Sequence, residues 1–382
     1  MVEGRAGVSM SEAETFESLT RRFDSHAPMP HRERWDIGKR AERLAEESGD
    51  KRALYEIRMR LVGFAFQAAE ATEQLTLFLW CAHMHDSDPA RYPTRPLEAQ
   101  PDVDLLWWYK WLTVMLLSYP QYSLAQVRSA LDMMRAAYRR EGAGEAGILW
   151  AELSLALETG RNDEAREVLA RIKASPPDEY SNCDACARAQ EATILWEMDD
   201  DEAALRLVDE ILDQGYVCAE EPQSIASEAL LAFARAGRLP EAAALAEFTY
   251  PLIMSSPMHL SHQIDHMLFL LSTGNPRTAA MLFVRHLPNV RHEGLPPSSY
   301  LAALKQLVVV ASELSREGYG AIEIEGVHGE ATTIEGFIDS ARAEARPLAI
   351  AFDKRDGTSD RVKSLESAGS MPLERFEFEL GG

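Results

Sequence analysis

The chain has 382 residues, 46% of them hydrophobic and 26% charged, which is enough apolar material for a large buried core. Asp and Glu total 61 against 39 Lys and Arg, a formal net charge of −22. That balance argues against a phosphate-backbone binder, which needs clustered Lys and Arg, and favours cationic partners instead.

Residues 1–30 read as a disordered N-terminal arm: apolar density is low, and Pro28 and Pro30 interrupt it. The stretch Met1 to Glu17 has no apolar leader, so the cytoplasm is the expected compartment. The four cysteines are then expected to be reduced, structural or metal-bound. Residues 31–88 form a predicted helical cap. Trp35, Ile37, Ala41 and Leu44 fall mostly on one helical face. Tyr55, Met59, Leu61, Val62, Phe64 and Phe66 make a broader apolar helix, and Leu75 to Trp80 a third. Residues 89–104, with Pro89, Pro93, Pro96 and Pro101, read as a linker and candidate boundary, because proline cannot continue a helix.

The most apolar run is Leu105 to Tyr119. It falls about five residues short of a bilayer span and contains Lys110, so a buried core helix is expected and no membrane partner. Trp107, Trp108, Tyr109 and Trp111 then read as core rather than as a stacking platform.

Residues 105–317 carry a repeat. The segments Gly160–Ala165, Met198–Ala203, Gly237–Ala242 and Gly274–Ala279 look alike, and their final alanines are 38, 39 and 37 residues apart. Each lies between two stretches of helical periodicity. Proline-rich breaks follow at Pro176-Pro177, Pro222, Pro251 to Pro257 and Pro296-Pro297. A turn recurring at that spacing is the signature of stacked helix pairs. Residues 318–353 are expected to hold a loop and a capping helix from about Thr333 to Phe352. Ala321 to Glu325 alternates over too few residues to separate strand from loop. Gly318-Tyr-Gly320 lacks the lysine of a phosphate loop. Residues 354–382 read as a loosely held tail, with a second short alternation at Phe376 to Leu380.

The Gly-x-x-x-Glu-Ala turn, the alanines of the second helix and the proline near the repeat end resemble tetratricopeptide-type repeats. Leu230, large where a small residue is expected, and Met198, where glycine is usual, depart from the pattern. More closely, several residue groups resemble a group of actinobacterial tetratricopeptide-repeat proteins of unassigned function. They are Leu105-Leu-Trp with Tyr109-Lys-Trp111, Cys183-Asp-Ala-Cys186, Cys218 to Pro222, Thr273-Gly-Asn275 with Arg285-His-Leu287, and Ala351 to Gly357. The likeness spans roughly residues 50 to 365. It implies a helical solenoid and no activity. The fold expected is therefore all-α: a TPR-like α-solenoid, a right-handed superhelix of helix pairs.

Cys183 and Cys186 are the sharpest local motif. Two thiolates three apart at a helix start grip one zinc ion, and a closed structural site needs four ligands. Cys218 is the expected third, because it and Cys183 both stand at the start of a first helix in adjacent repeats. Packed axes are about 8–10 Å apart. Glu221, or its neighbour Glu220, would supply an oxygen. The alternative is three small cysteines packing a repeat junction. His259 and His262 share the registers of Cys183 and Cys186 but lie two repeats on, roughly 20 Å away by the same spacing. Of Cys81, His83 and His85, only Cys81 and His85 share a face. His259, His262 and His266 with Asp265 offer acid–base groups without a nucleophile, and a histidine-bearing helix surface is the plainer reading.

No catalytic residue is assigned, and no cofactor beyond structural zinc is expected. The function expected is protein–protein interaction: a concave groove, lined by the first helix of each pair, for a basic peptide or protein. The alternatives are a regulatory sensor acting with a separate transcription factor, and an enzyme without a recognisable motif.

Overall fold

Capping chemistry sets where many of the helices begin and end. The computed structural model describes residues 14–65, 68, 70–98, 100, 103–198, 200–291 and 295–377. Within them the protein is all-α apart from one small hairpin. No helix there is long and apolar enough to cross a membrane. The chain divides into two compact units, Met1–Trp108 and Tyr109–Gly382.

In the first unit, Thr15 and Ser18 form a reciprocal capping box at the start of α1 (Phe16–Phe23). Next come α2 (His31–Ser48), α3 (Lys51–Phe64), which Asp50 caps, and α4 (Ala71–Ser87). Leu19 and Phe23 of α1 are buried. A Cβ built on Gly38 of α2 would come within 2.7 Å of Leu61 and 2.9 Å of Phe23, so α1 and α3 both close tightly on α2 there. The expected arm of residues 1–30 is thus corrected over its described part. Two well-placed apolar residues dock a short capped helix although its average apolar density is low. Residues 1–13 lie outside the described residues.

The proline-rich residues 89–104 are not a free linker either. Tyr92 and Leu97 are buried. The Tyr55 hydroxyl donates to the Pro93 carbonyl at 2.9 Å, and Arg95 pairs with Asp104 at 2.8 Å. The division between the units falls instead within α5 (Leu105–Met115).

The second unit runs through α6 (Leu124–Glu141), α7 (Ala146–Glu158), α8 (Asn162–Ala174), α9 (Asp184–Glu197) and α10 (Asp201–Gln214). It continues through α11 (Gln223–Glu228), α12 (Leu230–Arg235), α13 (Leu239–Ile253), α14 (Leu260–Ser272), α15 (Pro276–His286) and α16 (Pro297–Arg316). The strands β1 (Glu323–Glu325) and β2 (Ala331–Thr333) pair antiparallel, with Ile324 opposite Thr332. Then come α17 (Ile334–Asp356) and α18 (Asp360–Ser367).

The repeat is visible as packed pairs: α7 on α8, α9 on α10, α11 and α12 on α13, and α14 on α15. Gly160, Gly237 and Gly274 turn the chain with φ of 67°, 76° and 73°. The next residue's N–H then reaches five residues back, from Arg161 to Ala156, Arg238 to Phe233 and Asn275 to Leu270, at 2.8–2.9 Å. Asp200 reaches Leu195 in the same way. Four residues beyond each of these N-caps stands a fully buried alanine: Ala165, Ala204, Ala242 and Ala279. The second repeat is therefore one residue out of the expected register, with Ala204 and not Ala203 in the seam.

Residues 318–353 and 354–382 are not separable appendages. Ile334, Phe337, Phe352 and Leu365 belong to one core with Phe283 and Leu304. Beyond α18, Arg375 pairs with Glu313 at 3.0 Å and Glu317 at 2.6 Å, and the Phe376 N–H donates to the Ser272 carbonyl. The expected loose tail is thus fixed as far as it is described. Phe376 and Glu377 form no strand, and residues 378–380 lie outside the described residues.

Candidate metal centre and acidic cluster

Cys183 is the N-cap of α9, and its sulfur accepts the Cys186 N–H at 3.5 Å. Cys186 stands in the first turn of that helix, 3.5 Å sulfur to sulfur from Cys218. Cys218 lies in the turn from α10 to α11, where its sulfur accepts the N–H groups of Glu220 and Glu221 at 3.4 and 3.3 Å. The three sulfurs all lie within 4.8 Å of one another. Cys183 and Cys218 are exposed and Cys186 is half-buried. The three expected sulfur ligands therefore do converge.

Glu221 does not join them. Its Oε2 accepts the Ile225 N–H at 3.0 Å, so the carboxylate closes the first turn of α11 from just outside the helix. Burial pushes its pKa up to about 7, the Ile225 N–H opposes this, and Glu228 adds to it. Among the described residues no carboxylate or histidine enters the thiol group.

The thiols differ electrostatically. Burial alone would raise the Cys183 pKa, but the Cys186 N–H, the neighbouring thiols and the Ala185 N–H bring it below the ordinary value. Burial raises the Cys186 pKa, and Cys218 and Cys183 raise it further. Lys110 reaches this region from α5. Its fully buried Nζ donates to the Tyr180 carbonyl at 2.9 Å and to Asn182 Oδ1 at 2.7 Å, in the loop that delivers Cys183. Burial lowers its pKa to about 8, while Cys186, Asp178 and Cys183 pull it back up. Sequence reasoning used Lys110 to exclude a membrane span and within the Tyr109-Lys-Trp111 likeness, and gave it no role at a site. The one available signal was a charge inside an apolar run, with nothing to say what it faces.

A second group of ionisable side chains comes from successive first helices: Glu197 of α9, Glu228 of α11, and His262 and Asp265 of α14. Thr193 donates to Glu228 Oε2 at 3.2 Å. His262 Nδ1 lies 3.7 Å from Asp265. Burial raises the pKa of Glu228, with Asp265 and Glu197 adding to it against His262. Burial likewise raises Asp265, and burial with Glu158 raises Glu197. Burial works against charging His262, yet Asp265, Glu228 and Glu221 raise its pKa. Glu228 is nonetheless open to solvent, and the Asp265 side chain is 21% exposed. These carboxylates are crowded by protein yet reachable by water, and Glu228 senses the charges of both Asp265 and Glu197. Among the described residues, no Lys or Arg pairs with Glu197, Glu221, Glu228 or Asp265.

The histidines are not a plain helix surface. His266 is 3% exposed, with Nε2 3.0 Å from the Thr249 hydroxyl and 3.4 Å from that of Ser227. Burial, with some help from His262 and His286, lowers its pKa to about 4, which makes it a neutral hydrogen-bonding group. His259 sits 3.5 Å from Glu220, beside the Cys218 turn but outside the thiol group. Cys81 is buried, and His85 Nδ1 is 2.7 Å from the Tyr92 carbonyl, so that pair makes no site. A cavity of about 210 Å³ lies among α7, α8 and α9, with Leu149, Leu153, Ile172 and Ile194 in its wall. No family model matches the chain, and no curated protein matches it.

Proposed function

We propose that the chain is a tetratricopeptide-like interaction module whose groove takes a basic segment of a protein or peptide partner. The paired helices, the recurring glycine turn and the buried alanine after each cap support a solenoid reading. One observation carries the binding reading: the carboxylates of Glu197, Glu228 and Asp265, on consecutive first helices, have no Lys or Arg partner among the described residues, and His262 is the one basic group beside them. Burial is the main cause of their raised pKa values, neighbouring carboxylates add to it at Glu197 and Glu228, and His262 offsets it only in part at Glu228 and Asp265. A partner's Arg or Lys would supply further positive charge, giving selectivity and a faster encounter. The cavity beside α9 fits an apolar anchor, the kind of contact that contributes most of the affinity.

A selection from a random displayed peptide library tests this. Enriched sequences should combine Arg or Lys with a leucine or aromatic residue. They should lose binding to a protein carrying Glu197→Gln, Glu228→Gln and Asp265→Asn together. That protein should fold at least as well, because each change removes a charge the fold disfavours. Enrichment of acidic sequences, or equal binding to the triple variant, would reject the reading. The exposed thiol cluster favours a second reading, a regulatory sensor acting with a separate transcription factor.

A further inference from the structure

We propose that Cys183, Cys186 and Cys218 bind one zinc ion as a three-thiolate site whose fourth position is open to a ligand from solution. Three observations carry it, none of which depends on the peptide-binding reading.

The first is geometry. Tetrahedral zinc with Zn–S bonds of about 2.3 Å holds its sulfurs about 3.8 Å apart. The Cys186 and Cys218 sulfurs are 3.5 Å apart, and all three lie within 4.8 Å. Small side-chain rotations suffice to seat the ion.

The second is the backbone. The Cys183 sulfur accepts the Cys186 N–H, and the Cys218 sulfur accepts those of Glu220 and Glu221. Such donors stabilise the thiolate, the form that binds metal. Ligation releases to solvent one proton for each thiol still protonated, with no change of oxidation state.

The third is charge. Three thiolates and Zn²⁺ together carry one negative charge. Lys110 adds one positive charge from a buried position fixed by Tyr180 and Asn182. The mutual repulsion that makes three adjacent thiolates unfavourable is what a dication removes.

The fourth position follows from Glu221 and Glu220, the two carboxylates whose sequence position suited it; Glu220 stands 3.5 Å from His259 instead. The Glu221 oxygen is engaged with the Ile225 N–H, and no other described His, Cys, Asp or Glu joins the group. Two of the three cysteines are exposed, which gives the ion an access path and its open side a water. Three protein ligands with an exchangeable fourth are the pattern of zinc sites that bind or activate something, not of closed structural ones.

The experiment uses the full chain, reduced and stripped of metal, titrated with Zn²⁺ against a chromophoric chelator and, in parallel, with Co²⁺. One ion per chain is expected, with a thiolate-to-cobalt charge-transfer band. Cys183→Ser, Cys186→Ser and Cys218→Ser should each weaken Zn²⁺ binding by about tenfold or more. Serine remains a good N-cap at position 183, so loss there does not report unfolding, and circular dichroism checks the other two. Glu221→Gln should leave affinity unchanged. Added imidazole should shift the cobalt d–d bands by taking the open position. Less than one ion per reduced chain would overturn the site. Weakened binding in Glu221→Gln, or d–d bands indifferent to imidazole, would overturn the open position.

Discussion

Glu221 shows how one side chain can look right by spacing and serve another purpose. It is 8% exposed and spends its carboxylate on the Ile225 N–H. Because its folded pKa is raised, mainly by burial, the stability it contributes is fully present below about pH 4.5. It is lost as pH rises through about 7. Glu221→Gln should therefore stabilise the protein by about 2 kcal/mol at pH 8 and leave it nearly unchanged at pH 4, allowing for relaxation around the buried group. Chemical denaturation at the two pH values checks this; a loss of stability at pH 8 would show that the charge is compensated. The cysteines were legible because an i, i+3 pair and a repeat register place their Cα atoms. The direction of Glu221 was not, since it depends on which local N–H it caps. Lys110 was missed for a related reason: its partners, Tyr180 and Asn182, lie 70 and 72 residues away. At Gly237, with φ of 76° and open space around the Cβ position, alanine should cost about 1 kcal/mol through backbone strain alone. Thermal unfolding of Gly237→Ala measures it, and an unchanged midpoint would mean that the turn relaxes.

Among the elements, the helix pairs were legible because their turn chemistry repeats every 37 to 39 residues. The one-residue slip at Ala204 arose where Met198 was aligned with glycine, while the structure counts from the N-cap Asp200. Elements held by distant contacts could not be read. The helix α1 offers only Leu19 and Phe23 to its core, and the segment after α18 is tied by Arg375 to Glu313 and Glu317, about 60 residues earlier. Asp353 makes the corresponding point for α18. It accepts the N–H groups of Arg361 and Val362 and the Thr358 hydroxyl, at 2.8–3.1 Å. Burial opposes ionisation, yet these bonds hold its pKa below the ordinary carboxylate range. Its contribution is then present above about pH 4 and lost as pH falls further. Asp353→Ala should destabilise the second unit by about 2 kcal/mol at neutral pH and release α18 first. Hydrogen exchange along residues 360–367 reads this out; unchanged protection there would remove Asp353 as the cap.

For the whole molecule, composition already pointed to an acidic, globular chain, but it could not show where the acidity is concentrated. The division within α5 was also illegible, because the prolines of residues 89–104 look like a linker while Tyr92 and Leu97 pack into the first unit. If the carboxylates of Glu197, Glu228 and Asp265 receive a basic segment, association should slow clearly between low and physiological salt, as screening shortens to about 8 Å. An on-rate indifferent to ionic strength would leave the acidity with a role in solubility only. The most direct measurement is hydrogen–deuterium exchange of the intact protein with and without a selected basic peptide. Added protection is expected on the first helices α7, α9, α11 and α14, and little on their partners α8, α10, α13 and α15. Protection concentrated on those partner helices, or spread evenly over both sets, would contradict a groove built from the first helix of each pair.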